Sequence, residues 1–187
     1  MTSPDLAGER SAAGLLRRLA LFPDTTEIVD DSLAIGGVKL ASIADEFGTP
    51  VYVYDRLTMD ASVGQYRDAL RRHYPGEARI TYAGKAFLCR AIMEWMREQN
   101  LVADCTGEAE IELAASVNVP RASILVHGVN KSRADIASAR AHAGTIVVDN
   151  LTELRVLAQL GRDNVPDIWL RWLPRMAVTT HHPHTQT

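Results

Sequence analysis

Apolar and polar positions follow a recurring order along this chain. Near the start, Leu15, Leu16, Leu19 and Ala20 share one helical face, and Phe22-Pro23-Asp24 ends it. Ser32 to Leu40 reads as two short extended pieces around the turn pair Gly36-Gly37. Leu40 to Phe47 has the spacing of one or two helical turns, stopped at Gly48 and Pro50. From Pro50 onward β-rich and helical stretches alternate. Val51-Tyr-Val-Tyr54 is a β-rich tetrad, and Thr58 to His73 is helical up to Pro75-Gly76. Strands follow at Ala78 to Ala83, Leu101 to Ala103, Ser123 to His127, Thr145 to Asp149 and Asp167 to Arg171. The helical pattern fills the gaps, at Leu88 to Gln99, Glu108 to Ser116, Ser132 to Ala143 and Leu151 to Leu160.

Strands that alternate with helices make right-handed βαβ units and a parallel sheet. Two architectures satisfy that pattern, a doubly wound open sheet and a (β/α)8 barrel, and periodicity alone does not choose. After Arg171 no capped helix follows the last strand, so its apolar surface and edge are uncovered. The chain therefore reads as an incomplete sequence, a fragment of a longer reading frame.

Composition narrows the function classes. The chain has 187 residues with 47% hydrophobic and 23% charged, which is ordinary globular usage. A formal net charge of -3 argues against a surface built to coat nucleic acid or anionic lipid. Two cysteines, Cys89 and Cys105, are too few for a disulfide scaffold and point to a reducing, cytoplasmic setting. No apolar run is long enough for a membrane span.

Chemistry gathers where the strands end. Lys85 follows the first, Asp104 and Cys105 the second, His127 the third, Asp149-Asn150 the fourth and Arg171 the fifth. In parallel α/β folds the carboxyl ends of strands face the ligand. Asp149-Asn150 equally suits a helix N-cap. Lys85, between small residues Ala83, Gly84 and Ala86, suits a pocket mouth, where a neutral amine forms a Schiff base. It also suits a plain loop lysine. Gly84-Lys85 is not a phosphate-binding P-loop, since the spaced glycine and the following Ser or Thr are missing. Cys105 is a candidate pocket residue, Trp95, Trp169 and Trp172 are core or interface groups, and Arg71-Arg72-His73 is a solvated helix end. His181-His182-Pro183-His184 could take a metal opportunistically, but Pro183 breaks helical ligand spacing and no metal is assigned.

Tyr82-Ala-Gly-Lys-Ala86 resembles the lysine segment of the fold-type III pyridoxal-phosphate decarboxylases. Further matches run in order: Phe47-Gly-Thr-Pro-Val-Tyr-Val-Tyr-Asp55, Asp104 to Ala114, Ile146 to Asp149 with Glu153-Leu154, and Leu170-Arg171 to Pro174. His127-Gly-Val-Asn-Lys-Ser132 is similar to the corresponding segment of the diaminopimelate decarboxylase subgroup. Gly107-Glu108-Ala109, Val129 and Phe87 depart from that pattern and loosen the substrate more than the cofactor.

The resemblance implies a partial (β/α)8 barrel of the alanine racemase type, with about five of eight strands present. It implies an N-terminal segment, 1–48, that packs with a separate C-terminal β-domain, and a truncated barrel portion, 49–187. It implies pyridoxal 5'-phosphate carried by Lys85, with Asp104, Glu110, His127 and Arg171 around it. The implied activity is decarboxylation of meso-2,6-diaminopimelate to L-lysine by a homodimer acting on a small amino acid, with neither nucleic acid nor membrane as partner. Ornithine, arginine or carboxynorspermidine decarboxylation, or a non-catalytic cofactor-binding homologue, are the alternatives. A true short α/β domain without cofactor is a further one. The family's phosphate cradle and the partner subunit's cysteine strand would lie beyond Thr187, so the fragment alone is expected to be inactive.

Overall fold

The computed structural model describes residues 19, 21–161 and 163–172. The helical face at Leu15 and Leu16 and the His181–His184 cluster lie outside the described residues. The chain divides into two compact units, residues 1–78 and 79–187.

The first unit begins with an antiparallel meander, β1 (Thr26–Val29), β2 (Ser32–Ile35) and β3 (Val38–Lys39). Both turns are two-residue turns with positive φ at each position, Asp30 and Asp31 at 47° and 58°, Gly36 and Gly37 at 58° and 79°. That geometry matches the right-handed twist of the flanking strands. Helix α1 (Leu40–Phe47) ends at Gly48, whose φ is 78°. Helix α2 (Arg56–His73) begins two residues before its apolar pattern, because Asp55 caps it by accepting from the Thr58 amide at 3.0 Å. The Thr58 hydroxyl donates to Asp55 as well, and Thr25 Oγ1 does so at 2.9 Å; led by the Thr58 hydroxyl, these bonds draw its carboxyl below the ordinary range. The tetrad Val51–Tyr54 corrects the sequence reading. It belongs to no sheet among the described residues, and all four side chains are exposed. β propensity states a fit to a pleated, half-buried surface, and without strand pairing it does not act.

The second unit is one parallel sheet of five strands in sequential order: β4 (Thr81–Ala83), β5 (Val102–Cys105), β6 (Ile124–Val126), β7 (Thr145–Val148) and β8 (Asp167–Leu170). Between them run α3 (Arg90–Glu98), α4 (Glu108–Ser116), α5 (Arg133–His142) and α6 (Leu151–Gln159). Sequential order without reversal excludes the doubly wound sheet and leaves an arc of the barrel.

Register settles which side chains share a face. Neighbouring strands pair Ala83 with Asp104, Asp104 with Leu125, Leu125 with Thr145 and Thr145 with Asp167. Side chains alternate along a strand, so Asp104, His127, Val147, Asp149 and Arg171 fall on one face. Val102, Leu125 and Val147 form an apolar cluster on it. The other face carries Ala103, Cys105, Ile124, Val126, Ile146 and Val148, buried together with Met93, Met96, Ile111, Ile136 and Leu157 of the helices. Truncating such a methionine to alanine typically costs about 2–5 kcal/mol. Trp95 is in this core, whereas Trp169 and Trp172 are exposed. Arg71, Arg72 and His73 are exposed, as the sequence suggests.

Candidate functional site

The carboxyl ends of β4, β5 and β6 bring together four of the five residues singled out from the sequence. After β4 the chain enters a single 3-10 turn, Gly84–Ala86, which lifts Lys85 onto the exposed rim. Gly84 fits that turn closely. A Cβ on Gly84 would lie 3.0 Å from the Asp104 carbonyl oxygen and 3.2 Å from Glu110 Oε2. Gly84, next to Lys85, therefore packs against the tip of β5.

Asp104 and Glu110 play different parts there. Glu110, in the first turn of α4, accepts from the Thr106 amide at 2.7 Å and so fastens the loop after β5. Asp104 is half-buried, and its Oδ2 lies 3.7 Å from His127 Nδ1 at the end of β6. Its Oδ1 is buried without a hydrogen-bond partner. Burial pushes the Asp104 carboxyl above its ordinary range. The charges of His127 and Lys85 draw it part of the way back, and Glu110 adds to the rise. The imidazole and the ammonium thus both act on one carboxylate. Cys105 is no nucleophile. It is fully buried, and burial, with the Glu110 and Asp104 charges, pushes its thiol up to about 12.

The loop after β6 is held closely to its neighbour. A Cβ on Gly128 would lie 1.8 Å from the Thr106 carbonyl oxygen, so only glycine permits this approach. Ser132 and Asp135 form a capping box at the start of α5, and Asp135 also accepts from the Glu108 amide at 2.7 Å.

Arg171 belongs to a second cluster. Its Nε lies 2.7 Å from Asp149 Oδ1 at the end of β7. The two residues of the Asp149-Asn150 pair divide the roles left open above. Asn150 caps α6, accepting from the amides of Thr152 and Glu153, while Asp149 takes the ion pair. Sequence reasoning passed over Lys131 and Glu153 as site residues. Both are buried beside Asp149, with Lys131 Nζ 3.0 Å from Glu153 Oε2. A signal for them exists, since Glu153 stands one helical turn after Asp149 and Lys131 interrupts a strand-tip loop. Among the described residues no cluster of histidine, cysteine and carboxylates suits a metal ion, and no helix is long and apolar enough to cross a membrane.

Comparison with known proteins accords with this geometry. Residues 60–187 match the family model described as pyridoxal-dependent decarboxylase, pyridoxal binding domain. The diaminopimelate decarboxylase of Actinosynnema pretiosum subsp. auranticum is 33% identical over 162 residues, 86% of this chain and 36% of that protein. Among solved structures, diaminopimelate decarboxylase from M. jannaschii superposes with a TM-score of 0.73 at 27% identity, covering 82% of this chain and 37% of the other. Its co-complex with L-lysine superposes with a TM-score of 0.72, at the same identity and coverage. The chain thus spans a little over a third of the length of these relatives.

Proposed function

The chain belongs to the pyridoxal-dependent decarboxylases, and from that premise we propose that the whole protein removes one α-carboxylate of meso-2,6-diaminopimelate to give L-lysine and carbon dioxide. The observation that carries the reading is the shared sheet face: Asp104, His127, Asp149 and Arg171 project from successive strand ends beside the rim lysine, Lys85. The identity of the relatives and the L-lysine complex of one of them support the substrate. So does the segment His127-Gly-Val-Asn-Lys-Ser132.

The cofactor of the family is pyridoxal phosphate, and the residues present fit it. The exposed Lys85 amine and the His127 imidazole both act on the half-buried Asp104 carboxylate, whose Oδ1 is an unused acceptor among the described residues. That donor set suits an anionic aldehyde. Lys85 Nζ would hold the cofactor covalently, with Asp104 and Glu110 fixing the lysine's surroundings and His127 and Arg171 completing the mouth. When bound, pyridoxal phosphate supplies the electron sink that lets a carboxylate leave as carbon dioxide. The chain's own task is orientation and proton placement. Asp104 Oδ2 and His127 Nδ1, 3.7 Å apart, are the groups placed to handle a proton at this mouth. Glu110 is committed to the Thr106 amide and keeps the β5 loop from moving.

The whole protein works as a cytoplasmic homodimer in this reading, with segment 1–48 packing against its C-terminal β-domain. Among the described residues β4 and β8 are edges of the sheet, and in this reading turnover belongs to the whole protein with a closed barrel. The test is carbon dioxide release by the whole protein from meso-diaminopimelate, ornithine and arginine in parallel. We expect kcat/KM for meso-diaminopimelate to exceed the others by at least about a hundredfold, since a site built to pair with a second carboxylate rejects side chains that end in an amine or guanidinium alone. Faster release from ornithine or arginine would overturn the substrate.

A further inference from the structure

Four charged side chains bridge the tips of β6, β7 and β8. Lys131, in the loop after β6, has a side chain with 0% exposure. Its Nζ lies 3.0 Å from Glu153 Oε2 and 3.5 Å from Asp149 Oδ2, and it donates to the Gly128 carbonyl. Glu153 also accepts from the backbone amides of Lys131, at 3.3 Å, and Asp149, at 3.0 Å. Asp149 in turn holds Arg171 Nε at 2.7 Å. Both Asp149 oxygens are buried and lack aligned hydrogen bonds, so charge rather than hydrogen bonding holds them.

The four groups balance, two cations against two carboxylates. A lysine gives up its hydration only where such compensation is complete. The two carboxylates do not share the lysine equally in consequence. Glu153 already has two amide donors and would stay anchored without it. Asp149 has, among the described residues, Lys131 and Arg171. Arg171 is the outermost member, with 29% of its side chain exposed against 14% for Asp149 and 4% for Glu153. Its contact with Asp149 uses Nε alone, which leaves the Nη hydrogens outside that contact.

We infer that Lys131 is a positioning residue: by fixing Asp149 it orients the Arg171 guanidinium for pyridoxal phosphate at the barrel mouth. This rests on the cofactor reading above and assigns a residue to it that touches neither cofactor nor substrate. The test is a double-mutant cycle on the whole protein, read as pyridoxal phosphate affinity by titration. Lys131→Met and Arg171→Met are each expected to weaken affinity about tenfold. The double variant is expected to be no weaker than Arg171→Met, because Lys131 acts through the arginine. Should Lys131→Met fail to fold, the cycle is run in a Glu153→Gln background, where losing the lysine keeps the remaining charges balanced.

Additive losses overturn the inference, since they mean that the two residues act independently. So does unchanged affinity in Lys131→Met, or loss in Lys131→Met with none in Arg171→Met. Reductive trapping of pyridoxal phosphate on the unsubstituted protein, run alongside, separates the two claims. Label on Lys85 with an additive cycle refutes only the role of Lys131. No label on Lys85 refutes the cofactor reading and this inference with it.

Discussion

The two ends of the five-stranded sheet use charge in opposite ways. At the amino ends of the strands, arginines meet carbonyl oxygens. Arg121 donates to the backbone of Arg140, Ala141 and Asn164, at 3.1, 3.4 and 2.6 Å. Arg140 Nε donates to the Asp163 carbonyl at 3.1 Å, and Arg79 to the Ala122 carbonyl at 2.6 Å. These cations satisfy the last carbonyls of α5 and of the loops beneath the sheet, as basic groups at helix C-termini do. At the carboxyl ends, carboxylates meet cations and are left short of partners. Asp104 Oδ1 and both Asp149 oxygens are buried without a hydrogen bond. The amino end is finished as structure. Among the described residues the carboxyl end keeps unspent hydrogen-bonding capacity, and that difference makes it the candidate site before any family is named.

Substitutions at each end sharpen the contrast. Arg121→Ala removes three bonds to backbone carbonyls and is expected to lower stability by about 1–3 kcal/mol, read by urea unfolding. Cofactor affinity is expected to stay unchanged. A loss of affinity with stability intact would break the division between the two ends.

Asp104→Asn gives a smaller effect of opposite sign. Because burial raises the Asp104 carboxyl in the folded state, the charged form is penalised by folding. Its contribution to stability is greatest below the unfolded value of 3.8 and is lost as pH rises through the raised folded value. The amide cannot ionise, so at pH 7 the variant is expected to melt higher by about 1–3 °C, with the gain absent near pH 3. The same substitution is expected to weaken pyridoxal phosphate binding. A variant less stable at pH 7 would mean that Asp104 serves structure, like the arginines below.

Much of this contrast is legible in the residues. Alternating strands and helices identify the parallel sheet, and the bounds of α1 and α4 follow from their apolar spacing and stop signals. The polar residue after each strand is equally plain. Other features depend on what lies opposite in space. Strand β1 escapes because Thr-Glu-Ile-Val is short and the Asp30-Asp31 turn lacks glycine, although both aspartates adopt positive φ. Val51–Tyr54 misleads for the converse reason, with strong β propensity and no strand beside it. The role of Lys131 is hidden because its partners, Asp149 after β7 and Glu153 in α6, belong to the next βα unit, and only the pairing of β6 with β7 brings them within ion-pair distance.

The central claim is that the Lys85 amine at the rim of β4 holds the cofactor. Borohydride reduction of the whole protein saturated with pyridoxal phosphate, followed by peptide mass mapping, tests it directly. The account expects the pyridoxyl label on the peptide carrying Lys85, absent in Lys85→Ala, whose cofactor-free form keeps the thermal stability of the unsubstituted cofactor-free protein. Label on another lysine, or none on Lys85, would contradict it.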